Sequence, residues 1–126
     1  MRFQASFPAV PLGVGAVRGE MTAIARKCGL DELGVSDVAL AVSEATTNAV
    51  VHSRASQIEV TAVRDDGRLT IVIADDGVGM SPRPDSPGMG LGLPIIATVT
   101  ERFEIVSREG RTEVHMTFHC PADLAA

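Results

Sequence analysis

The stretch that decides the fold reads DDGVGM at residues 75–80, SPRPDSP at 81–87 and GMGLGL at 88–93. Its two glycine clusters flank a segment rich in proline and serine. The apolar run at 69–74 predicts a strand before it, and the run at 94–99 predicts a helix after it. Glycine lets a backbone approach a ligand closely, and a helix N-terminus offers free N–H groups to an anion. The stretch therefore predicts a nucleotide site with a lid between the glycine clusters.

The length and composition predict one globular domain over residues 1–126, with a frayed tail at 121–126. The chain has 126 residues, of which 45% are hydrophobic, enough for a single core. It contains no Trp or Tyr and only 4 Phe, so the core is expected to be aliphatic.

The charge and the apolar patterning exclude several classes of partner. The formal net charge of −5 and the lack of aromatic stacking platforms argue against direct nucleic-acid binding. No apolar run approaches 18 residues and no secretory signal is visible, so we expect no membrane partner and a cytoplasmic location. Cys28 and Cys120 lack metal-ligand spacing and predict two unpaired thiols in a reducing compartment.

The periodicity predicts the order β-α-α-β-β-lid-α-β-β. The strands are expected at 2–7, 57–64, 69–74, 103–108 and 112–119, and the helices at about 14–28, 35–53 and from 94 onward. Gly29 would end the first helix, Ser36 or Asp37 would cap the second, and an Asp-Gly pair at 66–67 would turn a hairpin. This order predicts an α+β two-layer sandwich, in which a mixed, largely antiparallel sheet is covered on one face by three helices.

The second predicted helix is mostly apolar, so its polar residues are informative. Glu44, Asn48 and His52 follow one another at four-residue intervals and share one face. An amide oxygen of Asn48 suits Mg²⁺, and a buried Glu44 carboxylate could act as a general base. A hydrogen-bonded pair within the core explains the same two residues, and this short motif alone favours that alternative. His52 is expected to pack at the helix end.

The residues around the lid offer a second set of ligand groups. Asp75 closes an apolar strand, where its carboxylate could accept a hydrogen bond from an exocyclic amine such as that of adenine. A plain Asp-Gly turn is an equally good explanation. Gly88, Gly90 and Gly92 could cradle phosphates through backbone N–H groups. They form neither the Rossmann fingerprint nor a Walker loop.

Taken together, the three motifs are far more specific than any one of them. Residues 44–48 resemble the N box, residues 75–79 the Asp-x-Gly-x-Gly box, and residues 88–93 the second glycine box of the Bergerat-fold (GHKL) ATP-binding family. That family includes DNA gyrase, histidine kinases and the mismatch-repair protein MutL. The run AVSEATTNAVVH at 41–52 looks most like the bacterial anti-sigma-factor serine/threonine kinases. The resemblance covers nearly the whole chain.

The resemblance implies a role for each matched residue. Asn48 would coordinate a Mg²⁺ that bridges the ATP phosphates, Asp75 would bind the adenine amine, and Glu44 would be the catalytic base. Residues 80–87 would form the lid. The positions implied to contact ATP or ADP besides Asn48 and Asp75 are Gly77, Gly79, Met80, Gly88, Met89, Gly90, Leu91, Gly92 and Leu93.

The resemblance also implies the partners. Such a kinase phosphorylates a serine of an anti-anti-sigma protein, holds a sigma factor in the alternative complex, and forms a homodimer. Two other functions remain open from the sequence. One is a nucleotide-binding regulatory module with little or no transfer, and the other is a detached ATP domain of a sensor kinase that serves a separate phosphoacceptor protein.

Overall fold

The computed structural model describes residues 1–77, 89–108 and 110–121, and for residues 89–92 it describes the backbone alone. The elements follow the predicted order. They are β1 (Arg2–Pro8), α1 (Pro11–Lys27), α2 (Glu32–Val51), β2 (Gln57–Asp65), β3 (Arg68–Asp75), α3 (Met89–Val99), β4 (Arg102–Arg108) and β5 (Arg111–His119).

The five strands form one sheet in the order β1-β2-β3-β5-β4. Each neighbouring pair is antiparallel, so the sheet is not mixed as the sequence had suggested. β3 lies at the centre, where its continuous apolar run placed it. The hairpin between β2 and β3 turns at Asp66 and Gly67, whose φ angles of 49° and 74° are those of the predicted Asp-Gly turn.

One face of the sheet packs against the helices, and the α+β two-layer sandwich is confirmed. Alternate residues of β2, β3 and β5 are buried on that face, while their neighbours on the other face are only partly buried. The buried side chains of the sheet are mainly Ile58, Val60, Ala62, Leu69, Ile71, Ile73, Val114, Met116 and Phe118. Val17 and Met21 of α1 and Val38 and Val42 of α2 complete the core between the layers.

Two helix starts differ from the prediction, and capping explains both. α1 begins at Pro11, three residues early, because proline at the first helical position loses no intrahelical hydrogen bond. α2 begins at Glu32 because Asp31, rather than Ser36 or Asp37, is the N-cap: its Oδ1 accepts from the Gly34 N–H at 2.8 Å. The predicted connection at 30–34 is therefore largely helical.

The third helix also begins earlier than expected. Pro94 had been placed at its start, but α3 begins at Met89 and contains Pro94. The backbone of Gly90 and Gly92 thus belongs to the first turns of a helix instead of to a loop. Proline cannot donate to the carbonyl four residues before it, so this segment lacks one helical hydrogen bond.

Candidate functional site

Asp75 is the last residue of the central strand and the one buried carboxylate among the residues that the structure describes. It is 5% exposed, and its Oδ1 accepts from the Gly77 N–H at 2.9 Å. Burial raises the pKa of Asp75 above its ordinary value, and the hydrogen bond from Gly77 opposes part of that rise. The second carboxylate oxygen can accept from a ligand.

Thr112 lies directly opposite Asp75 in the β3–β5 ladder. It is 1% exposed, and its hydroxyl Oγ1 has no hydrogen-bond partner among the described residues. Thr112 was not among the site residues predicted from the sequence. A signal was present, because Thr112 is the one polar residue in the inward-facing series that continues with Val114, Met116 and Phe118.

Asn48 and Glu44 sit one turn apart on α2, as predicted, but in different surroundings. Asn48 is 3% exposed, and its Nδ2 is buried without a partner among the described residues. Glu44 is only half-buried, so the expected buried carboxylate at this position was wrong. No hydrogen bond or ion pair to Glu44 occurs within the described part of the chain.

Ser53 lies just after α2 and contacts Gly77, which lies just after β3. Its N–H donates to the Asn48 carbonyl at 3.1 Å, and its buried hydroxyl has no partner in the described ranges. A Cβ added at Gly77 would lie 2.0 Å from the Ser53 carbonyl oxygen. Gly77 is therefore required by the contact between two backbone segments, a reason independent of the nucleotide approach predicted for it.

The exposed side chain of Asp76 also connects the segment after α2 to the end of β3. Its carboxylate accepts hydrogen bonds from the Ser56 N–H at 2.8 Å, from the Ser56 hydroxyl and from the Gln57 N–H at 3.1 Å. These bonds, with the Ser56 hydroxyl first, lower the pKa of Asp76 to about 2. The connection between α2 and β2 is thereby tied to the end of β3.

We call Asn48, Ser53, Asp75, Gly77 and Thr112 the inner polar cluster. Its members follow one another through contacts: Asn48 to Ser53, Ser53 to Gly77, Gly77 to Asp75, and Asp75 to Thr112. Buried polar atoms without partners are costly, so three of them in one cluster mark a candidate site for a ligand that supplies the missing hydrogen bonds.

The described residues do not build a metal cage of their own. No group of three or more His, Cys, Asp or Glu side chains comes together within the ranges that the structure describes. Mg²⁺ keeps several waters and usually takes one or two protein ligands beside substrate phosphates. A single amide such as that of Asn48 fits that requirement.

The remaining predicted site residues lie around the second glycine box. The backbone of Met89, Gly90, Leu91 and Gly92 forms the start of α3, and Leu93 packs partly buried against the core. Gly79, Met80 and Gly88, and the predicted lid at 80–87, lie outside the described residues.

Comparison with known proteins agrees with this fold. A family model described as "Histidine kinase-like ATPase domain" matches residues 7–118. The chain belongs to the histidine kinase-like ATPase domain family. This confirms the resemblance to Bergerat-fold (GHKL) proteins drawn from the three motifs.

Curated members of the family include two similar regulators. The chain is 32% identical to an anti-sigma F factor of Clostridium acetobutylicum over 91 residues, which are 61% of this chain and 64% of that relative. The match thus spans slightly less than two thirds of that relative's length. It is 30% identical to the serine-protein kinase RsbW of Bacillus cereus over 129 aligned positions, covering 88% of this chain and 81% of the relative.

Solved structures of the same ATPase-domain fold include two close matches in shape. The RsbU and RsbW domains of a Mycobacterium tuberculosis protein match with a TM-score of 0.76 and 21% identity, covering 95% of this chain and 32% of that one. A histidine kinase domain from Erythrobacter litoralis matches with a TM-score of 0.60 and 19% identity, covering 90% and 62%. In the part of the chain that the structure describes, no helix is long and apolar enough to cross a membrane.

Proposed function

We propose that this protein is an ATP-dependent serine/threonine protein kinase that acts as an anti-sigma factor. It phosphorylates a serine of an anti-anti-sigma partner and, in the alternative complex, sequesters a sigma factor. The inner polar cluster carries the proposal, because its buried carboxylate and unpartnered groups require a polar ligand. The names of the relatives from Clostridium acetobutylicum and Bacillus cereus supply the class of partner.

Asp75 and Thr112 form the adenine end of the site. Asp75 accepts the hydrogen bond of the exocyclic amine through the oxygen that Gly77 does not occupy. The hydroxyl of Thr112, opposite Asp75 on the same face, gains a partner from the base or from a water beside it. Asp75 must be ionised to accept fully, so we expect nucleotide binding to weaken as the pH falls through its raised pKa.

Asn48 and Glu44 form the phosphate end. Asn48 holds Mg²⁺ through its amide oxygen, and the ion would supply neutralisation of the phosphate charge. Glu44, one turn earlier on α2, accepts the proton of the substrate serine hydroxyl. The backbones of Gly77, Gly79, Met80 and residues 88–93 approach the nucleotide in this proposal.

Replacing the adenine ligand tests the site directly. In Asp75→Asn, loss of a charge-assisted hydrogen bond should weaken Mg–ATP binding by about 10- to 100-fold, measured by calorimetry. The fold should survive. Because the pKa of Asp75 is raised in the folded protein, its contribution to the free energy of unfolding is most favourable below the ordinary value of 3.8 and is lost as the pH rises through the raised value. A neutral Asn at this position therefore removes a cost at neutral pH. Asp66→Asn, in the β2–β3 turn, is the matched control and should bind normally. Absence of ATP and ADP binding by the unaltered protein would overturn the proposal.

Replacing the proposed base separates a kinase from a binding module. Glu44→Gln should retain Mg–ATP binding and lose at least 100-fold in serine phosphorylation, since general acid–base groups typically contribute about 10²–10⁴ in rate. Glu32→Gln, in the first turn of the same helix, serves as the control. If the unaltered protein transfers little or no phosphate and Glu44→Gln leaves control of the sigma factor unchanged, the protein is a nucleotide-binding regulatory module. Phosphohistidine on a partner would instead identify a detached sensor-kinase domain.

We also propose that the protein is a cytoplasmic homodimer. A cytoplasmic location follows from the proposed action on a sigma factor, because transcription takes place there. β1 is an edge strand, and Leu12 at the start of α1 is 88% exposed, which supports an apolar contact at this side. Sedimentation should show a dimer that Leu12→Asp weakens, and a monomer at every concentration would contradict the proposal.

A further inference from the structure

We propose that Cys28 and Cys120 are a peroxide-oxidisable pair that closes an intrachain disulfide between the end of α1 and the end of β5. The proposal does not depend on the kinase function. Both thiols are free and buried. They lie far apart in the sequence, and neither takes part in the inner polar cluster.

The end of α1 and the end of β5 meet at the two cysteines. Cys28 and Cys120 belong to the same buried core cluster, and the nearby Cys120 thiol adds to the rise in the pKa of Cys28. The residues that follow them also meet, since a Cβ added at Gly29 would lie 4.0 Å from the Pro121 Cγ. The backbone on each side is held in place: the Cys28 N–H donates to the Ile24 carbonyl at 2.9 Å, and the Cys120 N–H donates to the Gly67 carbonyl at 2.8 Å.

A positive side chain stands beside the pair. The Arg64 guanidinium donates through Nη2 to the Pro121 carbonyl at 3.0 Å, next to Cys120. Burial raises the pKa of the Cys28 thiol, and attraction from Arg64 opposes that rise. Arg64 thus favours the thiolate that oxidation requires, although burial keeps the pKa of Cys28 above its ordinary value.

The chemistry needs one oxidant, hydrogen peroxide. One thiolate attacks a peroxide oxygen, breaks the O–O bond and becomes a sulfenic acid while hydroxide leaves and takes up a proton as water. The second thiol then attacks that sulfur, forms the S–S bond and displaces the sulfenic oxygen as a second water. Two thiols lose two electrons and two protons, and one peroxide is reduced to two waters.

The cysteine pair lies at the opposite end of β5 from the candidate nucleotide site. Thr112 is near the start of β5, whereas Cys120 follows its last residue, so the two lie about 27 Å apart along the strand. The disulfide would close a loop containing most of the chain and stabilise it by restricting the unfolded state. Oxidation should therefore raise thermal stability and leave Mg–ATP affinity within twofold.

The test is mass mapping of the full chain after treatment with hydrogen peroxide. We expect the loss of two hydrogen atoms per chain, a cross-linked peptide pair containing Cys28 and Cys120, reversal by dithiothreitol, and a raised unfolding midpoint. Oxidation to sulfinic acid, disulfides between chains, or thiols that stay reduced until the protein unfolds would each overturn the proposal. This experiment uses the unaltered protein, so its outcome does not depend on whether a variant folds.

Variants sharpen the assignment. Cys28→Ala and Cys120→Ala should each abolish the mass loss and the rise in the unfolding midpoint. Arg64→Met should slow thiol oxidation severalfold, whereas Arg102→Met, an exposed position on β4, should not. Equal oxidation rates in the two arginine variants would remove Arg64 from the proposed site.

Discussion

Two polar clusters lie on opposite faces of the sheet, where they share strand β5, and they are built in opposite ways. The inner polar cluster faces the helices and includes Thr112 of β5. The outer charge cluster, on the open face, consists of Glu59, Arg111, Glu113 and His115 and includes the residues on either side of Thr112. Three buried polar atoms of the inner cluster lack partners among the described residues, whereas the outer groups are partly exposed and paired.

The charged side chains of the outer charge cluster pair with one another. Arg111 Nε lies 2.7 Å from Glu113 Oε2, Arg111 Nη2 lies 3.4 Å from Glu59 Oε1, and His115 Nε2 lies 2.8 Å from Glu113 Oε1. Ion pairs in contact with water contribute little to stability. Buried groups without partners are costly until a ligand arrives. This difference is why we propose the inner cluster as the binding site and treat the outer cluster as a solvated surface.

The largest effect is expected at Gly77, where the inner cluster depends on backbone contact. In Gly77→Ala, the new Cβ would meet the Ser53 carbonyl, and backbone atoms cannot rotate aside as a side chain can. We expect a loss of about 3 kcal/mol in the free energy of unfolding, the upper end for overpacking, and lost ATP binding. Urea unfolding and calorimetry measure the two.

Gly19→Ala is the matched control for this substitution. Gly19 is exposed within α1, and an added Cβ meets nothing within 4 Å. Its replacement should stabilise the helix by up to about 1 kcal/mol. If Gly77→Ala were as stable as Gly19→Ala, the contact between Ser53 and Gly77 would not hold the site together.

A smaller effect is expected at Thr112, where binding and stability should change in opposite directions. Thr112→Val removes a buried hydroxyl without a partner, so stability should stay constant or rise by up to about 1 kcal/mol. Mg–ATP binding should weaken by about five- to tenfold, because the hydroxyl can no longer bond to the ligand. Calorimetry and thermal unfolding measure the two changes.

Thr46→Val is the control, because the Thr46 hydroxyl is equally buried but donates to the Val42 carbonyl at 2.7 Å. Its loss should lower stability by about 1 kcal/mol. A Thr112→Val protein that is destabilised like Thr46→Val and binds ATP normally would show that the inner cluster is ordinary core packing.

Much of the fold could be predicted because alternation and turn residues are local signals. The strands begin and end within about one residue of their predicted positions, and Asp66 and Gly67 turn the hairpin. The helix starts could not be predicted as well, because the choice of cap depends on which residue reaches the first turn. Asp31 and Ser36 are both good N-caps in sequence, and only the fold selects Asp31.

The candidate site, like the fold, could be predicted from the sequence only where the signal is local. Asn48 and Asp75 could be identified because each interrupts an apolar segment within a recognisable motif. Thr112 and Ser53 could not, because strand register and a loop contact bring them to Asp75 and Gly77 from distant positions in the sequence. The burial of Asn48 and the partial exposure of Glu44 likewise depend on how α2 is rotated against the sheet, which periodicity alone does not determine.

The smallest effect is expected in the outer charge cluster. Arg111→Met keeps the aliphatic part of the side chain and removes the ion pairs to Glu59 and Glu113. Because these groups are partly exposed, the free energy of unfolding should fall by at most about 1 kcal/mol, and less at high salt. Mg–ATP binding should change by less than twofold, measured beside Thr112→Val, the neighbouring residue on the opposite face.

The pH dependence of this stability difference tests whether it comes from the ion pair between Arg111 and Glu113. The Arg111 hydrogen bond lowers the pKa of Glu113 from its ordinary value of 4.5, with His115 adding to it. A lowered carboxylate pKa contributes stability that is present above the ordinary value and is lost as the pH falls through the folded one. The difference between Arg111→Met and the unaltered protein should therefore shrink as the pH falls below 4.5 and vanish once Glu113 is protonated in the folded protein. A difference that persists there, or a loss of ATP affinity as large as that of Thr112→Val, would mean that the two faces of β5 do not act separately.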